Sequence, residues 1–484
     1  MNENRTIPEN VKKIYLMAIC GTGMGSLAGL LKEQGYNVAG SDANVYPPMS
    51  TELERQNIAI YSPFQESNLQ DFEPDLVIVG NAISKTNPEA AYLLETDIPY
   101  ISMPEALNHF FLKDKDVIVV SGTHGKTTTT TIMAHLLTEL KQDPSFLIGG
   151  VAKNFGKNFQ IGKGKYFVIE GDEYDTAFFD KGPKFLHYNP KHVILTSLEF
   201  DHADIYDSLD QIKKSFSLLL EIIPPQGSLH IGSDDQAARD VLSAQQQAQK
   251  IHSETFVLKY GCQEGADWQL SDFSANAEGS VFSLKGSQQK IHSPLTGEYN
   301  ALNVLACFSV LTQLGFSWDD IQAALQNFKG VKRRQEIIYQ NDHTVLIDDF
   351  AHHPTAVQKT IVAIKEKFPE HHLLAVFEPR SNTSRTDRFQ NEYQKAFEVA
   401  GELILAPVNN PTKVKNGNVL NTKKIADHLC DAGIKALAAT SSDEIFNNIL
   451  QKLESSQQKV AVLVMSNGGF DGLVSKLKQH LESH

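Results

Sequence analysis

The residues best suited to chemistry lie in one run, Ser121-Gly122-Thr123-His124-Gly125-Lys126-Thr127-Thr128-Thr129-Thr130-Thr131. Small residues let backbone N–H groups close around a phosphate, and the start of a following helix adds a positive partial charge. In such a loop the lysine, Lys126, reaches the β- and γ-phosphates of a nucleotide, and the Thr127 hydroxyl holds Mg²⁺. The candidate nucleotide-binding residues are therefore Gly122, Thr123, His124, Gly125, Lys126, Thr127 and Thr128. The common spacing of such loops places its first glycine at position 120, which is Val120 here, so the first loop glycine is Gly122. An ordinary Gly/Thr turn is the competing reading. The lysine and the consecutive threonines weigh against it.

Further polar clusters follow. Glu170-Gly171-Asp172-Glu173-Tyr174-Asp175 sets four carboxylates within six residues, hard oxygen ligands that suit Mg²⁺ beside a phosphate site. Leu198-Glu199-Phe200-Asp201-His202-Ala203-Asp204 offers His202 either as a ligand for a second cation or as a structural histidine held by Asp201 or Asp204. Asn300 and Asn303 are three apart and share a helix face. Their carboxamides either read the edge of adenine or, for Asn300, cap a helix. Arg333 and Arg334, in Gly330-Val331-Lys332-Arg333-Arg334-Gln335-Glu336, either stabilise a transferring phosphoryl group or form a solvated basic turn. Asp349 and His352 lie in Asp348-Asp349-Phe350-Ala351-His352-His353-Pro354. Arg380, Ser381 and Asn382 lie in Glu378-Pro379-Arg380-Ser381-Asn382-Thr383, and Asn467 precedes Gly468-Gly469.

The elements that must position these groups alternate between strand and helix. Lys13–Ile19 reads as a strand, Cys20-Gly21-Thr22-Gly23-Met24-Gly25 as a glycine turn, Ser26–Gln34 as a helix, and Asn37–Gly40 as a second strand closing at Asp42. That is the layout of a Rossmann-like nucleotide unit, although the glycine pattern is G-x-G-x-G. A third strand, Leu76–Val79, ends in Gly80-Asn81-Ala82. Asp116–Val120 is a buried strand ahead of the phosphate loop, and Tyr166–Ile169 and His192–Leu195 are further strands, each ending in acids. Leu229–Ser283 reads as short strands and turns, a β-rich extension. Ala301–Leu314 is a helix. Beyond Phe328, strands at Thr344–Ile347, Leu373–Phe377 and Val460–Met465 alternate with helices, which implies a parallel sheet. The expectation is an α/β chain of three domains: Rossmann-like over 1–113, a phosphate-loop ATPase-type domain over 114–327, and Rossmann-like over 328–484.

Length supports three domains, since 484 residues at about 150 per domain gives that number. The composition, 41% hydrophobic and 21% charged, is that of a globular protein. A net charge of −14 argues against nucleic acid, whose binding needs a basic face. Four cysteines, Cys20, Cys262, Cys307 and Cys430, have no metal or disulfide spacing and suggest a reducing compartment. The start of the chain lacks the basic and apolar regions of a signal peptide, and no apolar run is long enough to cross a bilayer. A cytoplasmic enzyme without membrane insertion is expected. A guanine-reading Asn-Lys-x-Asp is absent, which disfavours a GTPase switch. A nicotinamide-dependent oxidoreductase, suggested by the N-terminal glycine turn, leaves the phosphate loop unexplained.

Taken together, these motifs resemble the Mur ligase family of ATP-dependent peptidoglycan amide ligases over essentially the full length. The resemblance implies ATP and Mg²⁺, with the metal held at Thr127, Glu170 and His202 and adenine at Asn300 and Asn303. It makes Arg333 or Arg334 the arginine between the central and C-terminal domains. It implies a UDP-N-acetylmuramate site at Gly21, Thr22, Gly23, Met24, Gly25, Asp42, Asn81 and Ala82. Asp348 to Thr355 resembles the C-terminal signature of a branch that does not rely on a carbamylated lysine. Within that branch, Ser41-Asp42-Ala43-Asn44-Val45-Tyr46-Pro47-Pro48-Met49-Ser50, Glu378 to Thr383 and Met465 to Phe470 resemble the peptide-adding, recycling members more than the L-alanine-adding ones. The implied reaction joins UDP-N-acetylmuramate to L-alanyl-γ-D-glutamyl-meso-diaminopimelate through an acyl-phosphate. Lys126, His202, Arg333, Arg334, Asp349 and His352 are its candidate catalytic groups, with Arg380, Ser381, Asn382 and Asn467 on the peptide. Addition of L-alanine alone is the alternative. Ser384-Arg385-Thr386-Asp387-Arg388 departs from the continuation the family leads one to expect.

Overall fold

Apolar runs without alternation, such as Val117–Val120 and Val460–Met465, are buried throughout, as strands covered on both faces must be. The computed structural model describes residues 4–45, 49–203, 205–414 and 417–483. Tyr46-Pro47-Pro48 of the early motif, Asp204, and the first three residues of the chain lie outside them. The chain divides into two compact units. One comprises Met1–Glu199, Ser208–Asp267 and Ala306–Ala324; the other comprises Phe200–Asp207, Trp268–Leu305 and Leu325–His484.

The first unit holds two larger sheets and the two-stranded hairpin of Asp175–Ala177 and Asp180–Pro183. The N-terminal sheet is all parallel, in the order Ala59–Tyr61, Asn37–Ser41, Lys13–Met17, Leu76–Val79, Tyr100–Ser102. Its first helix, Thr22–Glu33, starts earlier than the sequence suggests, so Thr22 to Gly25 form its first turn and Gly21 its cap. The left-handed residue of the preceding loop is Ala18 (φ 64°), not a glycine. The glycines serve close packing instead: a Cβ on Gly25 would meet Met49 Sδ at 2.4 Å.

In the same unit, Asp116–Ser121 lies between Tyr166–Gly171 and His192–Leu195, parallel to both. Ser228–Gly232 and Phe256–Gly261 extend one side; Ser145–Ala152 and the antiparallel Lys157–Gln160 extend the other. The register pairs Ser121 with Gly171 and with Leu195. The carboxyl ends of three strands therefore meet at the phosphate loop, where ligands of parallel sheets sit. Gln236–Gln247 is a helix, which corrects the expectation of strands and turns across Leu229–Ser283. Asp235 caps it by accepting from Ala238 N–H, and Ala237, Ala238, Val241, Leu242 and Gln245 bury one face. Its glutamine-rich outer face hid this periodicity.

The second unit carries the antiparallel strands Trp268–Asn276, Gly279–Leu284 and Lys290–Ser293 and a C-terminal sheet. The order there is Glu336–Gln340, Thr344–Asp349, Val460–Met465, His372–Phe377, Glu402–Leu405, Lys435–Ala438, parallel apart from the first pair. Met465 pairs with both Asp349 and Phe377, so the loops beginning at Phe350, Ser466 and Glu378 leave one sheet edge together. The helix Glu298–Gln313 begins in this unit, with Asn300 and Asn303 in its first turns.

Candidate active site

The phosphate loop is built on backbone geometry that small residues allow. Gly125 caps the helix Lys126–Glu139 in the left-handed region at φ 81°. Gly122, at φ 126°, has no room for a side chain, since a Cβ would lie 2.3 Å from Thr196 Oγ1. Thr123 N–H donates to the Ser197 carbonyl (2.9 Å) and His124 N–H to Ser197 Oγ (3.2 Å). Thr196 donates to the carbonyls of His124 (2.5 Å) and Ser121 (3.1 Å). Thr196 and Ser197, a hydroxyl pair directly after a buried strand, were not singled out from the sequence, though their position was the available signal. Thr128 is buried in the first helical turn, where the first N–H groups of a helix have no partner within the helix itself.

Lys126 Nζ donates to the Gly122 carbonyl (2.6 Å) and to Glu173 Oε2 (3.2 Å). Burial works against its charge, but Glu173, Asp172 and Glu170 outweigh it and raise the ammonium above its ordinary range. Thr127 Oγ1 donates to Glu170 Oε2 at 3.0 Å, and Glu170 Oε1 accepts from Gly149 N–H at 2.5 Å. Burial first, and the neighbouring Asp172 second, push the Glu170 carboxyl up. The structure separates the four carboxylates of the acidic run: Asp172 pairs with Lys184 (3.3 Å), Glu173 with Lys126, and Asp175 with Lys181 (2.8 Å). Among the described residues, Glu170 is the carboxylate of this run that bonds Thr127. A hydroxyl and a raised carboxyl side by side are hard donors that fit Mg²⁺. Gly149, in the strand Ser145–Ala152, was missed. A glycine pair inside a strand marks close backbone approach, and a Cβ there would meet Glu170 Oε1 at 3.0 Å.

In the N-terminal sheet, Asp42 accepts from Cys20 N–H (3.0 Å) and Asn44 N–H (2.9 Å), tying the end of the second strand to the turn before Gly21. Thr22, Gly23, Met24 and Gly25 follow in the first helical turn. Asn81 and Ala82 lie exposed after the strand Leu76–Val79.

In the second unit, Asn303 Nδ2 donates to Asn300 Oδ1 (3.2 Å), and both residues are buried. Arg333 Nε pairs with Asp348 (3.2 Å), and its Nη2 donates to the carbonyls of Ser466 (2.5 Å) and Gly468 (2.7 Å). Arg334 lies over the Phe350 ring at 4.7 Å. Burial pushes Asp348 up to about 6 against the pull of Arg333, and Asp349 is raised by burial as well. Asp349 accepts from Ala351 N–H and Gln335 N–H, both at 2.7 Å.

His202, in the left-handed region at φ 55°, follows Asp201. That carboxylate accepts from His202 N–H and Thr383 O–H (both 2.7 Å) and faces His352 Nε2 at 3.9 Å. Burial opposes its charge, yet His202, His352 and the Thr383 hydroxyl hold it well below the ordinary carboxylate range. Glu378, nearly fully buried, accepts from Ser466 Oγ (2.5 Å) and lies 3.5 Å from Arg380 Nη1. Ser381 bonds Ser384, Asn382 accepts from Arg385, and the Asn467 carboxamide oxygen is buried without a partner among the described residues.

Three family models match in succession: the Mur ligase family catalytic domain at residues 13–114, the Mur ligase middle domain at 120–311, and the Mur ligase glutamate ligase domain at 333–468. The UDP-N-acetylmuramate–L-alanyl-γ-D-glutamyl-meso-2,6-diaminoheptandioate ligase of Escherichia coli K12 is 37% identical over 96% of this chain and 97% of its own length. The chain belongs to the Mur ligase family. Another member, the UDP-N-acetylmuramate–L-alanine ligase of Desulfitobacterium hafniense, is 30% identical over 91% of this chain and 94% of its own. Among solved structures, a murein peptide ligase from Psychrobacter arcticus superposes with a TM-score of 0.70 at 33% identity, covering 97% of this chain and 98% of that one. The three-domain α/β architecture is that of the family.

Proposed function

We propose that this family member is an ATP-dependent ligase that joins UDP-N-acetylmuramate to L-alanyl-γ-D-glutamyl-meso-diaminopimelate. The observation that carries this reading is the full-length likeness to the E. coli ligase of that specificity. It exceeds the likeness to the L-alanine ligase.

The domains are proposed to run 1–113, 114–327 and 328–484, for the UDP-sugar, the nucleotide and the peptide in turn. Gly21 to Gly25, Asp42, Asn81 and Ala82 would hold the UDP-sugar. The loop Gly122–Thr128 would hold the ATP phosphates, with Asn300 and Asn303 at adenine. Bound at Thr127 and Glu170, with His202 at a second position, Mg²⁺ would offset phosphate charge. The muramate carboxylate attacks the γ-phosphorus and ADP leaves. Lys126 stabilises the charge that develops on the transferring group. The peptide amine then attacks the acyl carbon, loses its proton, and phosphate departs. Asp349 and His352 are the candidate groups for that proton, and Arg333 or Arg334 for acyl-phosphate charge. Arg380, Ser381 and Asn382, with the open acceptor of Asn467, would orient the peptide.

No helix among the described residues is long and apolar enough to cross a membrane. A cytoplasmic enzyme without nucleic-acid partners follows from this reading of its substrates. Mass spectrometry of a reaction offered tripeptide and L-alanine together tests it. The UDP-muramoyl-tripeptide is the expected product, and UDP-muramoyl-alanine alone would refute the reading.

A further inference from the structure

Gln335 lies in the connecting segment before the strand Glu336–Gln340, and two non-glycine residues of that segment sit in the left-handed region, Arg333 at φ 60° and Gln335 at φ 48°. Such backbone is held only where surrounding contacts over-determine it. Those around Gln335 reach three places at once. Its main-chain N–H donates to Asp349 Oδ2 at 2.7 Å. Its carboxamide Nε2 donates to Tyr299 Oη at 2.5 Å and to the Thr296 carbonyl at 3.3 Å. That same carbonyl accepts from Asn300 Nδ2 at 2.9 Å, and Asn300 in turn accepts from Asn303. Thr296 is fully buried, and its hydroxyl has no partner among the described residues. Gly297, at φ 96°, turns the chain between Thr296 and the helix, with no space for a Cβ because Ala363 would lie 2.6 Å away.

We propose that Gln335 is a positioning residue for nucleotide-base recognition: its carboxamide fixes Tyr299 and the Thr296 carbonyl, and so sets the Asn300–Asn303 pair that reads the purine. This rests on the assignment of the asparagine pair to adenine. An asparagine presents a donor and an acceptor whose order along the base edge depends on how its amide is turned. The Thr296 carbonyl fixes that turn by taking an Asn300 N–H, which leaves Asn300 Oδ1 to Asn303. Gln335 restrains the carbonyl from outside the helix. The second tie, from Gln335 N–H to Asp349, links the same residue to the carboxyl end of the strand Thr344–Asp349.

Calorimetric titration of the full chain with ADP and with GDP tests this without any acceptor substrate. A ligase that fails with muramate and peptide would leave the titration unaffected, so the two failures are distinguishable. Gln335→Leu keeps the bulk and removes both side-chain donors, leaving the buried carbonyl short of one bond. It is expected to weaken ADP binding about tenfold and to change GDP binding about twofold or less, narrowing the preference for adenine. Tyr299→Phe removes only the hydroxyl and is expected to shift ADP affinity about threefold in the same direction. An unchanged ADP-to-GDP ratio in a cooperatively folded Gln335→Leu chain would overturn the proposal. So would an equal loss for both nucleotides, the mark of a general structural defect. Should Gln335→Leu fail to fold, Tyr299→Phe decides alone, and an unchanged ratio there overturns the proposal equally.

Discussion

Lys126 is held by Glu173, whose side chain is almost fully buried, so its structural and chemical roles can be separated. Lys126→Met leaves a buried carboxylate without its cation, which costs stability. Adding Glu173→Gln removes that defect. The double variant is expected to regain the melting temperature of the parent, while turnover stays down by about 10²–10³-fold. Recovery of turnover along with stability would place Lys126 outside the chemistry. At Glu170 the raised carboxyl means that protons compete with a divalent cation. Metal binding must then release a proton, so apparent Mg²⁺ affinity is expected to rise with pH and to lose that dependence in Glu170→Gln. Mg²⁺ titrations of turnover at acid and neutral pH check this, and parallel behaviour of both proteins would speak against Glu170 as a ligand. The places of Lys126 and Thr127 at a helix start, of Glu170 at a strand end and of the asparagine pair in the first turns of a helix were legible in the sequence. Which carboxylate meets which cation was not, since Lys184 and Lys181 reach the acidic run only through the folded hairpin Asp175–Pro183.

Strand ends and the loops leaving them constrain both backbone and charge. At Gly122 the left-handed backbone and the 2.3 Å approach to Thr196 leave no place for a methyl. Gly122→Ala is expected to cost about 1–3 kcal/mol and to reduce nucleotide affinity, measurable by melting with and without ADP. Behind the loop, His192 and His230 are buried in adjacent strands around Ser228, at 2.8 and 3.1 Å. Burial first, then Lys191 for His192 and His192 for His230, lowers them to about 4 and about 3. Unfolding lets both return to about 6.5, so the unfolded chain binds more protons between those limits. Stability therefore rises with pH from about 4 to about 6.5, and each histidine is expected to remove roughly 2 kcal/mol at pH 5 relative to neutrality. His192→Asn, compared with the parent in denaturant unfolding at both pH values, should flatten part of that slope; an unchanged slope would exclude His192. At this scale the central strands, such as Lys13–Met17, Asp116–Ser121, Tyr166–Gly171, Thr344–Asp349 and Val460–Met465, were legible from their apolar runs, whereas Ser145–Ala152, Glu402–Leu405 and Lys435–Ala438 were not. The helix Gln236–Gln247 was not, because its apolar stripe is made of alanines and single aliphatics between glutamines.

For the whole molecule, three modules were readable from alternating strand and helix patterns, and the family models fall on the same order. The pairing of distant strands was not readable: the register that aligns Asp349, Met465 and Phe377 depends on segments far apart in the chain. That alignment brings Glu378, Arg380, Ser466 and Arg333 into one cluster on the C-terminal sheet, where the peptide is proposed to bind. Acceptor choice is therefore the property that decides the proposed function. The direct measurement is phosphate release with UDP-N-acetylmuramate and ATP, comparing kcat/KM for L-alanyl-γ-D-glutamyl-meso-diaminopimelate with that for L-alanine. Efficient release is expected with the tripeptide and at least about a hundredfold less with L-alanine, since the amino acid lacks the groups that Arg380 and Asn467 would hold. Equal or greater release with L-alanine would contradict the proposed peptide acceptor.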